Sequence, residues 1–147
     1  MTRVIKRSGE LENVSFDKIR DRIDHLSHDL QVDTLVLVQK VIQGVHDLIK
    51  TSALDELASQ TCATLSVDHP DYSLLAGRIC ISNLHKMTDS SISAIFAHLS
   101  RDVREFAEAN VESINEAIVW ERDYKYDYFG YKTLERSYLL RDKDGKV

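Results

Sequence analysis

A chain of 147 residues, 43% hydrophobic and 29% charged, has the size and balance of one well-buried domain, or of a domain with an appendage. Its net charge of −5 argues against a broad basic face for non-specific nucleic-acid binding, so any basic feature must be local and matched to a small anion. No apolar run reaches the length of a membrane span and the first residues carry no signal-peptide core, which points to a cytosolic or nuclear setting.

The first predicted element is a β-hairpin over Val4 to Phe16. Val4-Ile5 leads into two adjacent cations, Lys6 and Arg7. Ser8-Gly9 offers a tight turn, and Val14 and Phe16 share one side of a period-2 return arm. Ser15 or Asp17 can then cap a helix from about Asp17 to His28, with Ile19, Ile23 and Leu26 at helical spacing and Lys18 and Arg22 four residues apart. A hairpin with two cations running into a basic helix N-terminus holds the parts of a polyphosphate site. Taken alone, the stretch reads first as an ordinary surface hairpin whose cations face water. His25 and His28 lie one turn apart, but without carboxylate or Cys support such a pair is more often surface than metal site.

Asp33 is placed to cap a second helix with a stripe of Val38, Val41, Ile42, Val45, Leu48 and Ile49. Thr51 or Ser52 caps a third, and Ser52 with Asp55 forms a capping-box-like pair ahead of Leu54, Leu57, Ala58, Cys62 and Leu65. Pro70 suits the start of a fourth helix. That helix carries Tyr72, Leu75, Ala76, Ile79, Cys80 and Asn83 on one face and Leu74, Ile81 and Leu84 on a second, so it should be central and buried on two sides. Lys86 near its end complements the helix dipole. Cys62 and Cys80 sit on apolar faces and read as buried reduced thiols, not as a disulfide or zinc site.

A fifth helix is expected from Ser91, with Ile92, Ile95, Phe96, Leu99, Val103 and Phe106 as one stripe, and a shorter one over Val111 to Ile118. In Trp120 to Tyr131, tyrosines alternate with charges, which predicts extended chain docked on a surface. A last helix follows Gly130. The tail, Arg141 to Val147, contains the turn signal Asp144-Gly145 with almost no return strand, as in the front of a longer protein or one piece of a split one.

Three segments resemble one family. VIKRSGELENVSFDKI resembles the opening of the ATP-cone, a nucleotide-binding regulatory domain. HPDYSLLAGRICISNLHK is similar to the last core helix of the cone in class I ribonucleotide reductase large subunits, and RDYKYDYFGYKTLERSYLL to the segment that follows the cone there. Ser8 stands where the family usually has Asp. The resemblance implies a mainly α fold: a four-helix cluster capped by a small β-sheet containing the hairpin over residues 1–90, then a helical extension over 91–147 that begins the reductase helical domain.

It also implies a role. In this family the cone switches overall activity: ATP turns the enzyme on and dATP turns it off, with Mg2+, by changing how large subunits associate and how the radical-supplying small subunit docks. Carried over, Lys6 and Arg7 should hold phosphates. Glu12, Asn13, Val14, Ser15, Phe16, Asp17 and Lys18 should wrap the nucleoside, with Lys18 near phosphate and Arg22 one turn on. Thr51 and Asp55 should contact base or sugar, and Lys86 should add a phosphate contact. The implied setting is cytoplasmic deoxyribonucleotide synthesis, with no nucleic acid or membrane partner. Cys62 and Cys80 match neither a thiyl-forming Cys nor a redox pair, so this chain alone should not reduce nucleotides. Two alternatives are a helical interaction protein whose cone has lost its ligand and a cone-bearing repressor. The latter carries Cys-x-x-Cys pairs, and this chain has none.

Overall fold

A computed structural model of the chain describes residues 2–88, 91–141, 143–145 and 147. The expected 1–90 boundary and the tail readings at Asp142 and Lys146 therefore fall partly outside the described residues. Strand β1 (Arg3–Ile5) pairs antiparallel with β2 (Leu11–Asn13), placing Val4 opposite Glu12. The turn between them closes through Gly9 N–H to Lys6 O at 2.9 Å. Gly9 has φ +89°, a conformation that costs glycine little because it has no Cβ. Lys6 and Arg7 are thereby lifted to the tip of the hairpin.

Helix α1 (Phe16–Leu26) is capped by Ser15, whose Oγ accepts from Lys18 N–H, which settles the choice between Ser15 and Asp17. It ends two residues before the expected His28. Asp33 caps α2 (Thr34–Gln43) by accepting from the Leu35 and Val36 N–H groups, as expected. The stripe read onward through Val45, Leu48 and Ile49 is corrected. The helix stops at Gly44, Leu48 turns back with φ +61°, and Ile49–Lys50 forms a third strand, β3, parallel to β1. Ile49 is buried at 4% exposure, so its apolarity serves the sheet. The sheet order is β2-β1-β3.

From β3 the chain enters α3 (Thr51–Thr64) directly. The capping role read for Thr51, Ser52 and Asp55 is overturned: Lys50 occupies the cap position and no side chain caps the helix. Helix α4 (Asp71–Met87) is central, packed on α3 along one side and carrying α8 (Tyr128–Ser137) on the other. Leu37, Val41, Cys62, Leu75, Ala76 and Ile79 fill the space between the first four helices. Cys62 and Cys80 are buried and unbridged. His28 Nδ1 lies 3.0 Å from the His25 carbonyl oxygen, a local turn contact.

The expected fifth helix is two: α5 (Ser93–Phe96) and α6 (Arg101–Ala109). The corner is held by Arg104, whose guanidinium donates to the carbonyls of Phe96, Ala97 and Leu99. The single apolar stripe is accordingly broken. Phe96 is buried while Val103 and Phe106 are exposed. Helix α7 (Val111–Ala117) matches the expectation. The aromatic segment is not extended but a 3-10 helix over Trp120–Lys125, and Asp127 then caps α8 by accepting from Gly130 N–H at 2.8 Å, so α8 begins before Gly130. This segment lies hard against α4 at Gly77, where a Cβ would come within 2.7 Å of the Asp127 carbonyl carbon.

Candidate functional site

A cleft of about 490 Å³ opens between the hairpin and helices α1, α3 and α4, within the size range of small-molecule sites. Each wall follows from periodicity. Helix α1, with its cap, contributes Ser15, Lys18, Ile19, Arg22 and Ile23, and α3 contributes Thr51, Leu54, Asp55 and Ala58. Both sets follow the i, i+3, i+4, i+7 spacing of one helical face. Helix α4 adds Ile79 and Lys86, about two turns apart on one face. The hairpin adds Val4, Lys6, Arg7, Ser8, Glu12, Asn13 and Val14.

The floor is apolar, with Val4, Ile23, Ala58 and Ile79 all buried. Over it stand five cations, Lys6, Arg7, Lys18, Arg22 and Lys86, against two carboxylates, Glu12 and Asp55. In a chain of net charge −5, this is a local positive well above a greasy base. The first turn of α3, uncapped by any side chain, begins at its wall. There its N–H groups and dipole favour negative charge.

Two charge clusters organise the well. Asp55, 10% exposed at its side chain, accepts from Arg7 Nη2 at 3.1 Å and from Arg22 Nη2 at 3.1 Å. Arg22 Nε also lies 2.9 Å from Asp55 Oδ1, off the line of a hydrogen bond, so that buried N–H has no acceptor. Burial raises the Asp55 pKa, with both guanidiniums pulling the other way, and burial lowers that of Arg22. From α4, Asn83 accepts from Arg7 Nη2, and Ser82 Oγ accepts from Arg22 Nη2 at 3.3 Å. In the second cluster Glu12 bridges two lysines, with Lys18 on Oε1 and Lys6 at 2.5 Å on Oε2. The hydrogen bonds from Lys18 and Lys6 hold the Glu12 carboxyl down at about 2.

The structure thus gathers Lys6, Arg7, Glu12, Asn13, Val14, Ser15, Lys18, Arg22, Thr51, Asp55 and Lys86 around one cleft. Phe16 and Asp17 are not among its lining residues. Phe16 is half exposed on the first turn of α1, and Asp17 points to solvent near Arg20. Sequence reasoning missed Asn83 and Ser82 as the groups that orient the two arginines. Asn83 carried a readable signal: a polar residue within an apolar helical face needs a buried partner. The apolar floor was read only as core.

Among the described residues no cluster of three or more His, Cys, Asp or Glu side chains could hold a metal ion, and no helix is long and apolar enough to cross a membrane. Burial lifts the thiols of Cys62 and Cys80 to about 12 and about 11, so neither is a nucleophile near neutral pH.

A basic well over an apolar base, built on a four-helix cluster with a three-stranded cap, is the architecture of a nucleotide-binding regulatory domain. The ATP cone domain profile matches residues 2–87, and the chain belongs to that family. It is 44% identical over 156 residues to ribonucleoside-diphosphate reductase large chain 2 of Saccharomyces cerevisiae, covering 94% of this chain and 18% of that protein. It is 48% identical over 160 residues to the ribonucleoside-diphosphate reductase large chain of Cryptosporidium parvum, covering 98% and 20%. With the large subunit of Arabidopsis thaliana it shares 44% over 156 residues, covering 94% and 19%. The chain spans about a fifth of the length of these relatives.

Proposed function

We propose that the cleft binds ATP and dATP and acts as the activity-regulating effector site of a class I ribonucleotide reductase large subunit. The observation that carries the reading is the joining, in one cleft, of five cations with an apolar floor. Such a site suits a ligand that is polyanionic at one end and flat and apolar at the other. Lys6, Arg7, Lys18 and Lys86 take the phosphates. Val14, Ile19 and Leu54 flank the base, and Thr51 and Asp55 meet the sugar or base edge. Mg2+ enters with the phosphates, whose oxygens are its preferred ligands. Residues 1–90 form the cone and 91–147 the start of the helical part of the subunit. The remainder of the subunit, further large subunits and the radical-supplying small subunit are its partners, in the cytoplasm.

Titration calorimetry of the chain with Mg-ATP and Mg-dATP tests this reading. Each charge-assisted bond to phosphate contributes roughly 1.5–3 kcal/mol. The Lys6→Ala, Arg7→Ala double variant should therefore lose affinity by about a hundredfold or more while its helices stay folded. Unchanged affinity in that variant would remove the phosphate assignment.

A further inference from the structure

We infer that Glu12 is a built-in competitor for the phosphate-binding lysines, so that a polyphosphate enters by displacing this carboxylate from between Lys6 and Lys18. The inference rests on the functional reading above and adds a regulatory element to the same site. Glu12 sits on β2 opposite Val4, where the pleat directs its side chain to the cleft. There its two oxygens are divided between the two lysines. The second pair comes from a different element, at the start of α1. The carboxylate therefore ties the hairpin to α1 across the mouth of the cleft. A carboxylate and a phosphate oxygen present the same chemistry to an ammonium group, an anionic acceptor at hydrogen-bond distance. Each ammonium has three N–H donors, but a carboxylate and a phosphate held on the same two lysines repel each other, so the two compete for the place.

All three side chains are partly open, at 43% for Lys6, 70% for Lys18 and 29% for Glu12. Solvated pairs of this kind are weak and can be broken by a ligand of higher charge density. The cluster around Asp55 differs: it is buried, and Asn83 and Ser82 brace its arginines. Glu12 is the carboxylate positioned to give way. A singly charged anion gains little by replacing it, whereas a chain of phosphates engages Lys6, Lys18 and Arg7 together. The hairpin and α1, joined through Glu12 in this structure, are then joined through the ligand.

The probe is inorganic triphosphate, which carries no sugar or base, so a role of Glu12 toward the nucleoside does not affect the reading. Binding to the full chain is measured by calorimetry for the wild type, Glu12→Gln and Glu10→Gln. Glu10 lies on the same hairpin, bonded to Ser8 and outside the cleft lining, so it controls for the general effect of removing one negative charge. Glu12→Gln should bind triphosphate about three- to tenfold more tightly than the wild type, the scale of two released exposed pairs, and Glu10→Gln should change it by less than twofold. Glu12→Asp, too short to span both lysines, should fall between the wild type and Glu12→Gln. Equal or weaker binding by Glu12→Gln, or equal gains in Glu12→Gln and Glu10→Gln, overturns the inference. If the wild type binds Mg-ATP and only this pattern fails, the functional reading stands and the competitor role falls. If the wild type binds neither Mg-ATP nor triphosphate, both fall.

Discussion

Replacing Asp55 by Asn removes the charge that two guanidiniums share while keeping the size of the side chain. Arg7 and Arg22 each donate to the carboxylate at 3.1 Å, and its loss leaves the two guanidiniums beside each other with one neutral acceptor. Losing one partner of a fully buried pair costs about 3–5 kcal/mol, and of an exposed pair about 0.2–1. With Asp55 10% exposed, Arg22 24% and Arg7 31%, the cost should be about 2 kcal/mol, a fall of roughly 6 °C in melting temperature for a domain of this size. The assay is urea unfolding of the wild type, Asp55→Asn, Arg22→Gln and the double variant. Since the penalty comes from stranded guanidinium charge, the double variant should be less destabilised than the sum of the singles by about 1 kcal/mol. Additive effects, with the Asp55→Asn cost unchanged when Arg22 is gone, would return Asp55 to a purely local role in α3.

Other outcomes follow from the same geometry. Glu12 is held down at about 2, against an unfolded value near 4.5. The stability it contributes is therefore present above about 4.5 and lost as pH falls from there toward 2. Acid unfolding of Glu12→Gln should show a shallower decline across that window, and identical profiles would count against the double lysine pairing. Gly77→Ala places a methyl against the Tyr126 and Asp127 backbone, which cannot swing aside as a side chain can. It should cost about 1–3 kcal/mol and raise hydrogen exchange in residues 120–137, and a neutral effect would mean the segment is not seated there. Lys132 joins α8 to α3 through Glu56 at 3.0 Å and also pairs with Glu135 at 3.0 Å. Lys132→Ala should lower stability by about 1 kcal/mol and loosen α8 ahead of the rest, as read by exchange. Asp55→Asn should still bind ATP and dATP, with a smaller difference between them than in the wild type, by calorimetry on both ligands.

The cluster of four helices under a hairpin was legible in the sequence, and so were the local patterns that the cleft uses, such as Lys6-Arg7 before Ser8-Gly9 or Lys18 and Arg22 at i, i+4. Thr51, Asp55 and Lys86 read locally as helix-end residues, and only the family resemblance drew them toward a common site. Ile49 was misread because its apolar periodicity continued that of α2. Only the pairing with β1, 45 residues earlier in register, makes it a strand, and such long-range pairing leaves no local trace. Asp55 was read as a cap because Ser52 sits three residues before it; its partners Arg7 and Arg22 lie 48 and 33 residues away. The break between α5 and α6 depends on Arg104 reaching back to three carbonyls, which an apolar stripe cannot reveal. In Trp120 to Tyr131 the alternation of Tyr124, Tyr126 and Tyr128 with charges mimicked a strand, whereas Trp120–Lys125 folds as a 3-10 helix against α4.

The central claim is that one cleft between the hairpin, α1, α3 and α4 receives the nucleotide. Its most direct test is an NMR titration of the uniformly labelled chain with Mg-ATP. The backbone amides of Lys6, Arg7, Glu12, Lys18, Thr51, Asp55, Asn83 and Lys86 should move together along one binding curve, while those of α6 stay still. Saturation that leaves these amides in place, or that shifts α6 and α7 instead, would contradict the account.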